Sequence, residues 1–196
     1  MSEVKNLLNQ YIIFNIAKET FAISISLVKE VINLNAYHKY QVPGAPQYFE
    51  GVINLRGQVI PILHAKAKLD FALETPMVSN PKVIIIEYNK ENFGLLVDDV
   101  EEVKTIDSHL IENAPGHLGV LAKDQKIGRI SGKDNDKDRF VFILSKESLF
   151  ENIYDKEDHL IGKSLHNLIS NEISNEQNTN SRGQKDESKA NISFNR

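Results

Sequence analysis

Short apolar runs broken by polar punctuation recur along the first three quarters of the chain. Residues 11–16 and 21–25 read as strands, and Ala17-Lys18-Glu19-Thr20 between them is a polar connection of hairpin length. Ser26 is placed to cap a short helical turn over residues 27–32, where Leu27, Val28, Val31 and Ile32 fall at helical spacing. Residues 35–46 read as loop. Residues 51–63 predict one or two strands, bent at Arg56-Gly57. Residues 70–81, with two prolines, form the main internal break. Residues 82–88 and 93–97 predict paired strands across Asn89-Lys90-Glu91-Asn92, and residues 100–106 add strand before a loop at 107–119. A last hairpin joins residues 127–130 to 139–144, after which Ser145 caps a short helix carrying Leu149 and Phe150.

Many short strands with turn signals about ten residues apart indicate an antiparallel barrel or a sandwich, and spacing does not choose between them. Beyond Phe150 the pattern changes. Leu160, Ile161, Leu165, Leu168, Ile169 and Ile173 lay one apolar stripe on a predicted helix over residues 157–173. Residues 175–196 are almost entirely polar or charged, which predicts a disordered tail that cannot repay its ordering entropy.

Within residues 51–63 a single strong charge, Arg56, stands among aliphatic neighbours and is followed by Gly57. A guanidinium cannot shed its charge, so it must snorkel, pair or serve a partner. Composition narrows the chemistry further. At 41% hydrophobic residues the chain can form a core, and its formal net charge of -4, without a basic block, disfavours non-specific nucleic-acid binding. The absence of cysteine removes disulfides, thiolate catalysis and cysteine-ligated zinc. No apolar run approaches the ~20 residues that cross a bilayer, and no basic segment followed by an apolar one opens the chain, so a cytoplasmic protein is expected.

Candidate catalytic constellations fail one by one. Asp98 and Asp99 are adjacent, so on a strand their carboxylates face opposite ways and read as structural or surface charges. His38, His64, His109, His117, His159 and His166 lack metal-ligand spacing. Asp134-Asn135-Asp136-Lys137-Asp138 begins like a calcium loop, but Arg139 occupies the glycine position and Ser145 the bidentate-glutamate position. No phosphate loop or nucleophile elbow is present. The chain asks for no enzyme, metal or cofactor.

The stretch Val42-Pro43-Gly44-Ala45-Pro46 through Gly51-Val52-Ile53-Asn54-Leu55-Arg56-Gly57 to Pro61-Ile62 resembles the signature "vPnaPefikGvinLRGxivPi" of the CheW-like family, the coupling proteins of bacterial chemotaxis. Residues 14–25 resemble that family's opening hairpin, and Leu27-Val28-Lys29-Glu30-Val31-Ile32 its "kVqEI". Residues 82–86 followed by Phe93-Gly94-Leu95-Leu96-Val97-Asp98-Asp99-Val100 resemble its "vVivxxxgxxvGllVDxV", so the likeness runs over residues 10–150. It implies a mainly β fold of two small five-stranded barrels sharing an apolar core. The expected domain is residues 8–150, its halves dividing near 70–81, with a helical extension at 151–174 and the tail at 175–196.

The same resemblance implies a non-catalytic adaptor bridging the cytoplasmic tip of a chemoreceptor to the regulatory domain of the histidine kinase CheA, recruited to receptor arrays at the inner membrane. It places the partner-binding surface at Val28, Glu30, Gly51, Asn54, Leu55, Arg56 and Gly57, with Glu30 close to Arg56. A coupling protein of a twitching-motility or other non-flagellar array is the alternative within the fold, and a small β-barrel binding a ligand or single-stranded nucleic acid the alternative outside it. One departure stands out: Leu63-His64-Ala65-Lys66 occupies the place of the family's acidic-Leu-Arg triplet, which puts any internal salt bridge made there in doubt.

Overall fold

The computed structural model describes residues 9–69, 78–114, 126–130 and 138–150. The chain divides into two units, Met1–Phe150 and Glu151–Arg196. The helix expected at 157–173 and the tail at 175–196 lie outside the described residues.

The described residues form twelve strands: β1 (Gln10–Ile16), β2 (Glu19–Ser24), β3 (Val28–Asn33), β4 (Lys39–Tyr40), β5 (Phe49–Leu55), β6 (Gln58–His64), β7 (Lys82–Tyr88), β8 (Glu91–Val97), β9 (Asp99–Thr105), β10 (Ile111–Asn113), β11 (Lys126–Ile130) and β12 (Arg139–Leu144). They form two six-stranded sheets, ordered β10-β11-β12-β2-β1-β9 and β3-β7-β8-β6-β5-β4. Each has five strands of ordinary length and one short edge strand, so the mainly β, two-part architecture is the one the resemblance implies.

Each sheet folds around its own apolar cluster. Ile32, Ile53, Leu55, Ile62, Ile85 and Leu96 meet in the sheet of β3–β8, and Ile13, Ala22, Ile106, Ile130, Val141 and Ile143 in the other. Strands β7 and β8 are buried on both faces, which explains their unbroken apolar runs. Phe150 closes the join from the helix Lys146–Phe150: its ring stacks on Tyr88 at 4.4 Å and tilts against Phe93 at 5.1 Å. Ser145 caps that helix, its Oγ accepting from the Ser148 N–H at 3.1 Å.

Among the described residues, three hairpins turn in two residues: Ala17-Lys18, Arg56-Gly57 and Asn89-Lys90, with φ positive at both positions of each. This is the turn whose twist matches the strands it joins. Only Gly57 and Asn89 are residue types that favour it; Ala17 and Lys18 are not.

Three expectations need correction. The helical turn expected over 27–32 is strand β3, preceded by a 3-10 turn at Ile25–Leu27. Apolar spacing over six residues suits either element. The β-branched Val28, Val31 and Ile32 and the open edge of β7 decide for strand. The break at 70–81 does not divide the sheets, because it falls between β6 and β7 of the same one. The chain instead crosses between sheets after β2 and again at Asp98, between β8 and β9. Finally, the loop expected at 35–46 contains β4, and that at 107–119 contains β10.

Candidate functional site

Arg56 lies in the β5–β6 turn, not inside a strand, with φ of 53° and its side chain 76% exposed. Its Nη2 donates to Glu30 Oε2 at 2.9 Å, so the pair that the resemblance implies is present. Asn54 shapes the turn by accepting the Gly57 N–H on its Oδ1 at 2.8 Å. A register shift between Val28 and Glu30 leaves Lys29 as an extra residue of β3. Lys29 points outward to Glu87 at 2.7 Å, while Glu30 takes the side facing Arg56. Val28, half-buried, starts the strand beside them.

The parallel pairing of β6 with β8 brings the next hairpin to the same end of the sheet. There the Asn92 side-chain amide donates to Gln58 Oε1 at 3.1 Å. Exposed Val31 adds an apolar position on β3. The result is a rim of short polar contacts around a salient guanidinium. Such exposed pairs add about 0–1 kcal/mol each, so they orient side chains more than they stabilise the fold.

Two of the expected surface residues serve other ends. Leu55 is 5% exposed and belongs to the apolar cluster, so it fixes the turn from within. Gly51 is buried with φ of 131°, and a Cβ there would stand 2.4 Å from the Tyr40 carbonyl oxygen. Backbone does approach backbone at Gly51, but the approaching strand is the chain's own β4.

The segment that departs from the family pattern gives the main electrostatic surprise. Lys66, on the short helix Ala65–Lys68, is buried and pairs with Asp98 Oδ1 at 2.8 Å. Asp98 Oδ2 accepts the Ala17 N–H at 2.7 Å, and the Asp98 N–H donates to the Asn15 carbonyl at 3.0 Å. Asp98 is thus a structural charge, as its sequence context suggests, and an internal salt bridge exists where the altered segment had put one in doubt. Neighbouring His64 has a buried Nδ1 that finds no hydrogen-bond partner among the described residues. Burial holds its pKa below the ordinary 6.5; Lys66 and Lys39 push the same way, while Glu50 and Asp98 oppose them. Nothing in a linear reading pairs Lys66 with Asp98, because parallel strand neighbours are not encoded locally.

Among the described residues, no three His, Asp or Glu side chains gather as a metal site, and no helix is long and apolar enough to cross a membrane.

Comparison with known proteins agrees with this architecture. Residues 10–153 match the CheW-like domain family. The Chemotaxis protein CheW of Bacillus subtilis is 34% identical over 108 residues, covering 53% of this chain and 65% of that protein. The Probable chemotaxis protein CheW of Rhizobium etli is 32% identical over 141 residues, covering 72% and 86%. Among solved structures, the scaffolding protein TtCheW from Thermoanaerobacter tengcongensis superimposes with a TM-score of 0.61 at 28% identity, over 73% of this chain and 92% of that one. The fold and these matches define a mainly β scaffold of the chemotaxis class. The chain belongs to the CheW-like family of chemotaxis adaptor proteins.

Proposed function

We propose that the chain couples the cytoplasmic tip of a chemoreceptor to the regulatory domain of the kinase CheA without catalysing any step itself. The Arg56–Glu30 pair carries this reading: a largely exposed guanidinium is held in a defined direction at the end of a sheet, free to meet a partner on its outer side. Receptor docking uses the rim formed by Val28, Glu30, Asn54, Arg56 and Gly57. Val103 and Phe140, apolar side chains left exposed on the other sheet, are candidates for the kinase-facing surface. Interfaces of modest size suffice for such a scaffold, and no cofactor is needed.

The test is reconstitution of receptor, kinase and adaptor. Wild-type chain is expected to raise receptor-dependent kinase phosphorylation, and Arg56→Ala to lower it while leaving the fold intact. Failure of the wild-type chain to bind either partner in a pull-down would overturn the reading. ATP turnover mapping to residues of this chain would do the same.

A further inference from the structure

Asp98 occupies the point where the chain leaves one sheet for the other, directly between β8 and β9. Its carboxylate has two partners on opposite sides of that crossing. One is the buried ammonium of Lys66, which follows β6 of the first sheet. The other is the Ala17 N–H in the β1–β2 turn of the second. Its own N–H adds a third tie, to Asn15 of the same hairpin.

The turn so held is the one least able to hold itself. Ala17 and Lys18 adopt φ of 54° and 83° without glycine or asparagine at either position, a conformation that persists only where the surroundings impose it. The charge on Lys66 is likewise sustained by its partner, since an ammonium at 5% side-chain exposure needs a counter-charge. The three groups therefore depend on one another, and they sit where the two sheets join.

We propose that Lys66 and Asp98 are positioning residues: a buried charged joint that fixes how one sheet is carried on the other, and thereby transmits a receptor rearrangement at the Arg56 rim to a kinase docked on the opposite sheet. This rests on the adaptor reading above. The joint acts through geometry, so losing it uncouples the two surfaces without abolishing either.

The experiment compares wild type with Lys66→Arg, Asp98→Asn and the neutral double variant Lys66→Met/Asp98→Asn, which leaves no lone buried charge. Three quantities are read for each full-length chain: Ala17 amide exchange, affinity for receptor and for kinase separately, and receptor-dependent kinase activation. In the double variant, Ala17 exchange is expected to quicken about tenfold or more as the turn opens locally. Each affinity stays within about threefold, under 1 kcal/mol, while activation falls severalfold. Lys66→Arg keeps the charge and retains activation.

Unchanged activation despite faster Ala17 exchange overturns the proposal, as does unchanged Ala17 exchange. Loss of both affinities together with activation, or failure of both Asp98 variants to fold while Lys66→Arg folds, reduces the pair to a stability element and also overturns it. If the wild-type chain itself activates no kinase, the adaptor reading has failed, a result distinguishable from the rest because Ala17 exchange still reports the joint.

Discussion

The ring of Phe150 lies 4.4 Å from that of Tyr88 and within 5° of parallel, joining the helix that follows β12 to the last residue of β7. Phe150 is 1% exposed, and Phe93 on β8 meets its other contact at 5.1 Å. Truncation to alanine removes both ring contacts and leaves a cavity, because β7 and β8 are already packed on their opposite face. Phe150→Ala is expected to cost about 3–5 kcal/mol in a denaturant titration. A loss below about 1 kcal/mol would mean that this ring is dispensable to the join between the sheets.

Gly51→Ala tests the close approach of β4 to β5. The new methyl would stand 2.4 Å from the Tyr40 carbonyl oxygen at a φ of 131°, a region essentially reserved for glycine. Backbone strain alone costs about 1–3 kcal/mol, and displacing Tyr40 forfeits its pairing with Val52 as well. A melting temperature lowered by several degrees is expected, with increased amide exchange confined first to β4 and β5.

Charge exchange across Glu30 and Arg56 separates local pairing from partner contact. Glu30→Arg and Arg56→Glu each place like charges at the rim, and the double exchange restores an opposite pair. Stability is expected to move by less than about 1 kcal/mol in either single variant and to recover in the double. Receptor coupling, measured in the reconstituted assay, is expected to remain low in the double exchange because the partner meets the wrong charge. Full recovery of coupling would show that the pair matters only to itself.

His64 sets a pH dependence whose direction follows from its burial. Its folded pKa lies below 6.5, so the folded state resists a proton that the unfolded chain accepts. Above 6.5 both states are neutral and nothing is lost. As pH falls below 6.5 toward the depressed folded value, the unfolded state binds more protons and stability declines; below that value the decline stops. Replacing His64 with Gln is expected to flatten this part of the stability profile, measured by urea denaturation at successive pH values. An unchanged slope would assign the acid loss to other groups.

Much of the fold is legible in the sequence because hairpins are local objects. Strands β1, β2, β7, β8, β11 and β12 follow from apolar runs and turn residues, and the Ser145 cap announces the helix Lys146–Phe150. Arg56 is conspicuous for the same reason: one charge among aliphatic residues, followed by glycine.

Other features became determinate only in three dimensions. Six residues of mixed spacing from Leu27 onward suit a helix or a strand, and the unpaired edge of β7 made them β3. Periodicity tells a strand which face to bury but not which neighbour to take, so the pairing of β1–β2 with the C-terminal strands was invisible until the sheets assembled. Gly51 answers to a strand eleven residues back, and Lys66 to an aspartate thirty-two residues on. Burial, pairing and counter-charge are properties of neighbours in space, and parallel and cross-sheet neighbours leave no trace in the local order of residues.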